Sequence, residues 1–212
     1  MIKANIKTLI ITSIIIILPI FIGLYFWDKL PDVMATHFDG NNEANGFSGK
    51  YLAVFGLPAL LLAVQWVCAI VTANDPRKQN ISPKIYTLIL WIVPAVSIIA
   101  AVGIYPYNLG YDMDSLFLAK LVLGFVFLIV GNFLPKTRQN YTIGIKLPWT
   151  LADEENWNKT HRLAGILWML GGLLILVLTF LGFMPMNAYF AILCIMVLVP
   201  TAYSYLMHVS KK

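Results

Sequence analysis

The stretch LIITSIIIILPIFIGLYFW, Leu9 to Trp27, runs for 19 residues without a charge. A bilayer's hydrocarbon core is about 30 Å thick, and a helix rising about 1.5 Å per residue needs about 20 apolar residues to cross it. A signal-peptide core is shorter, about 7–15 residues, and ends at a small-residue cleavage site. This stretch ends instead on the aromatic residues Tyr25, Phe26 and Trp27. We read it as a retained membrane helix.

Further blocks of the same kind follow. Apolar residues fill 6–27, 51–73, 85–106, 115–134, 162–183 and 187–208, with ends placed to within about 2–4 residues. The expected fold is all-α: a polytopic membrane protein of six transmembrane helices, forming a single domain over 1–212. Residues 28–50 and 134–161 stand out as its conspicuous loops. Composition agrees. Of 212 residues, 59% are hydrophobic and 12% charged, against about 45–50% and about 25% in ordinary soluble domains. The net charge of +5 sits in short loops, where membrane topology explains it better than nucleic-acid binding. Cys68 and Cys194 lie inside apolar blocks and make neither a disulfide framework nor a zinc site.

Basic residues in short loops set orientation. With the N-terminus inside, the inner segments hold Lys3, Lys7, Arg77, Lys78, Lys84, Lys136, Arg138, Lys146, Lys159, Arg162, Lys211 and Lys212. The outer side holds only Lys29, Lys50 and Lys120. This 12-to-3 division predicts cytoplasmic N- and C-termini. Trp27, Trp149 and Trp157 fall near membrane boundaries, as an aromatic belt requires. Pro19, Pro58, Pro94 and Pro200 lie within helices and predict kinks. Gly124 and Gly131, one heptad apart, and the adjacent Gly171 and Gly172 predict close helix contacts.

The first outer loop reads LPDVMATHFDGNNEANGF, Leu30 to Phe47. Its alternating Asp39, Asn41, Glu43 and Asn45 invite a calcium reading. Aligning Asn41 with the first ligand position of an EF-hand loop puts Gly46 at the turn, but Leu52 where a bidentate Glu is needed. Turn chemistry explains the Asn and Gly residues more simply, and no metal is expected. His37 is the lone outer histidine, and a hydrogen-bonded loop residue is its simplest role.

The longest inner loop reads NFLPKTRQNYTIGIKLPWTLADEENWNKTHR, Asn132 to Arg162. Thr150 and Asp153 have capping spacing, and acids followed by Lys159, His161 and Arg162 complement a helix dipole. A short helix from about Leu151 is expected, lying at the interface or running into helix five. A basic loop against anionic head groups is the plainest role. Within the spans, Lys120 is expected to snorkel, and Gln65 and Asn132 to make interhelical hydrogen bonds. No carboxylate relay is present.

These two loops resemble the SdpI/YfhL family of bacterial membrane proteins. The outer elements are Leu30, Pro31, His37, Phe38, Gly40 and Gly46. The inner motif is longer: Asn132, Leu134, Pro135, Lys136, Arg138, Asn140, Gly144, Lys146, Pro148, Trp149, Thr150, Leu151, Trp157, Thr160, His161 and Arg162. With six helices, the likeness covers nearly the whole chain. It departs at Lys146, where the family pattern has Arg; lysine keeps the charge but loses the bidentate fork.

The resemblance implies a multi-pass protein of the bacterial inner membrane that confers immunity to a secreted peptide toxin. It also implies a receptor role, holding a cytosolic repressor at the membrane. His37, Phe38, Asp39 and Glu43 would face toxin. Asn132, Lys136, Arg138, Asn140, Lys146, Trp149, Thr150, Trp157, Thr160, His161 and Arg162 would face a partner or lipid head groups. No cofactor and no direct nucleic-acid contact are expected. The alternative is a membrane enzyme acting on a lipid or peptide, with His37, Asp39 and Glu43, or the basic inner loop, as its site. No nucleophile–base pair supports it. A small transporter is a third reading, opposed by the absence of a repeat and of acidic residues in the helices.

Overall fold

The structure, a computed structural model, describes residues 1–112 and 114–211. Lys212, counted above among the inner charges, lies outside the described residues. The elements are α1 (Ile6–Tyr25), strands β1 (Val33–Phe38) and β2 (Ala44–Gly49), α2 (Leu57–Ala73), α3 (Pro83–Asn108) and α4 (Ser115–Phe133). A one-turn α5 (Pro148–Ala152), α6 (Glu154–Phe180) and α7 (Met186–Val209) complete the chain. Among the described residues, six helices are long and apolar enough to cross a membrane; the one-turn α5 is not among them. Their outer surfaces expose Phe21, Phe125, Phe180 and Leu198. Apolar surface on this scale is stable against lipid and not against water. The protein is a multi-pass membrane protein.

Lipid offers the backbone no hydrogen bonds, so every carbonyl freed by an internal proline needs another donor. Pro94 has no N–H for the carbonyl of Leu90, four residues back, and the Gln65 amide supplies one at 2.8 Å. Pro200 likewise leaves the carbonyl of Met196, which accepts from the Trp168 indole at 3.0 Å. At Pro58 the solution is different. A π-helical turn, Leu52–Gly56, precedes α2 and widens the backbone just where the proline ring would meet the preceding turn. Gln65 therefore does make the expected hydrogen bonds between helices, also reaching Thr12 Oγ1 at 2.9 Å.

The chain forms two compact units, residues 1–73 with 86–119, and residues 74–85 with 120 onward. In the first, Leu30, Met34, Val54, Ile104 and Tyr105 form one buried cluster. It anchors the segment after α1 onto the helices. The sequence reads this segment as an outer loop with turn residues; in the structure the turn joins two strands of an antiparallel β-hairpin. Its strands are short and only half-buried, so side-chain alternation left no clear signal. What makes them strands is Met34 and Ala35 packing inward and ladder bonds that close the backbone groups.

In the second unit, α4 and α6 approach backbone to backbone. A Cβ at Gly124 would lie 3.2 Å from the Gly172 carbonyl, and one at Gly131 would lie 2.9 Å from that of Gly165. The expected close contacts are present, with Gly165 added to the set. Lys120 donates to the Met184 carbonyl at 3.0 Å. Asn132 departs from expectation: it is exposed and accepts from nearby Lys136 at 3.0 Å instead of bonding across helices.

The helix expected from about Leu151 splits in two. Thr150 is not a cap of the long helix but lies inside α5, where its hydroxyl accepts from Leu147 N at 2.9 Å. Asp153 caps α6, accepting from Glu155 N at 2.9 Å and Asn156 N at 3.1 Å. The helix thus starts eight residues before the apolar block that signals it, because capping and hydropathy mark different boundaries.

Candidate functional site: a β-hairpin and a folded cap

The hairpin turns at Asp39 to Glu43. Asp39 Oδ1 accepts from Asn41 N (2.8 Å) and Glu43 N (3.0 Å), so the aspartate is a turn residue. His37 Nδ1 lies 2.5 Å from Asn45 Oδ1 across the strands. The hydrogen-bonded role expected for His37 is what the structure shows. Phe38 packs edge-on against Tyr107 at 4.8 Å. Asn108, at the end of α3, grips Ala35 twice: Ala35 N donates to its oxygen at 2.8 Å, and its amide donates to the Ala35 carbonyl at 2.9 Å. The hairpin is therefore pinned at one edge while His37, Glu43 and Phe47 remain exposed.

The segment after α4 folds back as a cap, organised by buried polar side chains. Asn140, fully buried, donates to the carbonyls of Arg138 (2.8 Å) and Ile143 (3.1 Å). Its oxygen accepts from Thr142 N (2.9 Å) and Ile143 N (2.7 Å). Thr150 donates to the Ile145 carbonyl at 2.8 Å. Asp75, from the α2–α3 connection, accepts from Tyr141 N (2.9 Å), Thr142 Oγ1 (2.8 Å) and Arg77 N (2.7 Å). Arg77 donates to Gln139 Oε1 and lies over the Tyr141 ring at 5.0 Å. Gln139 in turn donates to the Thr150 carbonyl at 2.8 Å.

Trp157 and His161 form the cap's floor. Both are buried, stacked with ring centres 4.0 Å apart. Trp157 donates its indole N–H to the Thr137 carbonyl at 2.7 Å. His161 Nδ1 donates to the Trp157 carbonyl at 2.8 Å, and Nε2 accepts Ile145 N–H at 2.9 Å. A carbonyl only accepts and an amide only donates, so these partners select the Nδ1–H tautomer. Both nitrogens are committed to backbone, so His161 holds the cap together and does not face a partner or head group as the resemblance implies. Gly144, at φ +112°, passes directly over this stack; a Cβ there would strike His161 Nε2 and the Trp157 ring.

The cap is tied to α7 as well. Trp149 donates to Ser204 Oγ at 2.8 Å and stacks on His208. Asn156 donates to the Ser204 carbonyl at 2.8 Å and accepts from Thr160 Oγ1 at 3.0 Å. Lys211 bridges Asp153 (2.6 Å) and Glu155 (2.8 Å). The Lys211 ammonium, with the Asn156 amide, holds the Asp153 carboxyl below the usual carboxylate range, and Asp153 and Glu155 together raise Lys211.

The structure thus sorts the candidate residues. Asn140, Thr150, Trp157, Thr160 and His161 are buried, and Trp149 is half-buried. Asn132, Lys136, Arg138, Lys146 and Arg162 are exposed. Asp75, Arg77, Gln139, Asn108 and Ser204 escaped sequence reading, since their partners lie tens of residues away. Asp75 had one weak signal, a carboxylate before a proline in an otherwise basic connection. Among the described residues, no three metal-capable side chains come together.

Comparison with known proteins follows these divisions. Residues 136–204, the cap with α6 and most of α7, match the model of the SdpI/YfhL protein family. The chain also aligns with "Immunity protein SdpI" of Bacillus subtilis, 26% identical over 178 residues, 82% of each chain. Residues 14–62, carrying most of α1, the hairpin and the start of α2, match a domain of unknown function, DUF1648. An uncharacterized protein of Methanocaldococcus jannaschii is 25% identical over 140 residues, 61% of this chain and 70% of that one. No solved structure matches. The SdpI/YfhL match begins at Lys136, where the cap begins.

Proposed function

We propose that the protein is a membrane immunity protein that protects its cell from a secreted peptide toxin. The observation that carries this reading is the alignment with an immunity protein over 82% of both chains. In this reading the chain is one membrane domain with both termini in the cytoplasm. Six consecutive crossings then put the hairpin outside and the cap inside. His37, Phe38, Asp39 and Glu43 lie on the toxin-facing hairpin, beside Val33 and Phe47, which are 63% and 61% exposed. Exposed aromatic and aliphatic side chains on a pinned scaffold suit a membrane-active peptide, which must itself be apolar. The exposed cap residues Lys146 and Arg162 offer surface on which a cytosolic repressor would dock, with Lys136 and Arg138 available to lipid head groups. The buried motif residues hold that surface in shape.

The test is survival. Toxin-sensitive cells expressing the wild-type protein should outlive vector controls after addition of purified peptide toxin, and His37→Ala at equal membrane abundance should lower the count. Equal killing of wild-type and vector cells would contradict the reading.

A further inference from the structure

Beside the cap, the connection Gln79–Ile85 and the segment Phe133–Arg138 enclose a cleft of about 410 Å³. That is within the range of about 300–1,000 Å³ typical of small-ligand sites. Its wall holds three cations, Lys84, Lys136 and Arg138, with the polar side chains of Gln79, Asn80 and Ser82, and no carboxylate. Among the described residues the ion pairs are made by Lys50, Lys159 and Lys211; none engages a cation of this cleft. Three like charges at one opening repel each other unless an anion lies between them.

The wall is also held in place. Asn80 donates to the Gln139 carbonyl at 2.8 Å, and Asn140 grips the Arg138 carbonyl at 2.8 Å. Lys136 is steadied by Asn132 and the face of Phe133, 5.4 Å from its ring centre. Ser82 accepts from Ile85 N at 3.3 Å, and both residues line the cleft, so the first turn of the 26-residue α3, the positive end of its dipole, forms part of the wall. The remaining wall is apolar: Ile85 in the first turn of α3 and Phe133 at the last residue of α4. Both belong to membrane spans.

We infer that this cleft binds the phosphate group of an anionic membrane lipid. Lys84, Lys136 and Arg138 take the phosphate oxygens, and Ile85 and Phe133 meet the start of the acyl chains. Arg138 contributes the planar fork suited to phosphate, and the two lysines contribute point charge. Basic pockets at span ends are suited to such head groups. The inference does not depend on the immunity reading, since it uses only the cleft's own chemistry.

Native mass spectrometry of the purified full chain in detergent tests it, with phosphatidylglycerol, phosphatidylcholine or inorganic phosphate added. Wild type should retain one phosphatidylglycerol in preference to phosphatidylcholine. Each cation removed should weaken retention roughly fivefold, so Lys84→Gln with Arg138→Gln should weaken it roughly 25-fold. Lys29→Gln, on the other unit, should leave retention unchanged. Equal retention of the two lipids, or an unaffected double variant with wild-type thermal stability, would overturn the inference. Displacement of phosphatidylglycerol by equimolar inorganic phosphate would make this a free-anion site and overturn the lipid assignment.

Discussion

At the scale of single residues, Gly144 is the tightest point of the cap. Its φ of +112° is strained for any side chain, and a Cβ would strike the His161–Trp157 stack. Gly110 shares the positive φ, at +82°, but has open space around it. Gly144→Ala should therefore lower thermal stability by more than Gly110→Ala, whose cost is the backbone strain of about 1–3 kcal/mol alone. Equal costs would mean the stack yields freely. Asp153 is the second residue to test, because its charge and its capping role separate. Its folded pKa lies below the ordinary carboxylate value, so its stabilisation is present at neutral pH and is lost as pH falls through that lowered value. Lys211, raised, loses its part only as pH rises beyond the ordinary lysine range. Asp153→Asn keeps a good N-cap and removes the charge. Melting curves should show a smaller acid-induced loss for the variant than for wild type, with the two converging at low pH. Parallel curves would show that the Lys211 pair carries no stability.

At the scale of elements, α3 and α7 accommodate Pro94 and Pro200 because side chains from neighbouring helices replace the missing donors. Trp168 serves the Met196 carbonyl that Pro200 leaves open. Trp168→Phe should cost about 1 kcal/mol. Pro200→Ala restores a backbone N–H for that carbonyl, so in its presence Trp168→Phe should cost much less. A double-mutant cycle in thermal or denaturant unfolding reads this directly; strict additivity would show that the two residues are not coupled. The sequence displays each proline plainly but not its substitute donor, since Trp168 and Gln65 lie on other helices. The hairpin was obscure for a related reason. Met34 and Ala35 are adjacent and both buried, which breaks strand alternation, and the Asn108 clamp comes from the far end of α3.

At the scale of the whole molecule, the six spans were legible because lipid thickness and helix rise leave one reading of an apolar run of about 20 residues with at most one or two charges. The cap was legible as a motif and not as a structure. Asn140, Thr150, Trp157 and His161 stand out in sequence as candidate contacts, yet they are buried and hold the backbone of the cap, whereas Lys136, Arg138, Lys146 and Arg162 provide its exposed charge. Their division into interior and surface depends on Asp75 and Ser204, distant in the chain. Everything proposed for function then depends on the hairpin and the cap lying on opposite sides of the membrane, with the hairpin outside. Cysteine labelling of intact cells tests this most directly, in a Cys68→Ala, Cys194→Ala background. Glu43→Cys at the hairpin tip and Lys146→Cys on the cap are both at exposed positions. A membrane-impermeant maleimide should label Glu43→Cys in intact cells and Lys146→Cys only after permeabilisation. The reverse pattern, or labelling of both from outside, would contradict a toxin-facing hairpin.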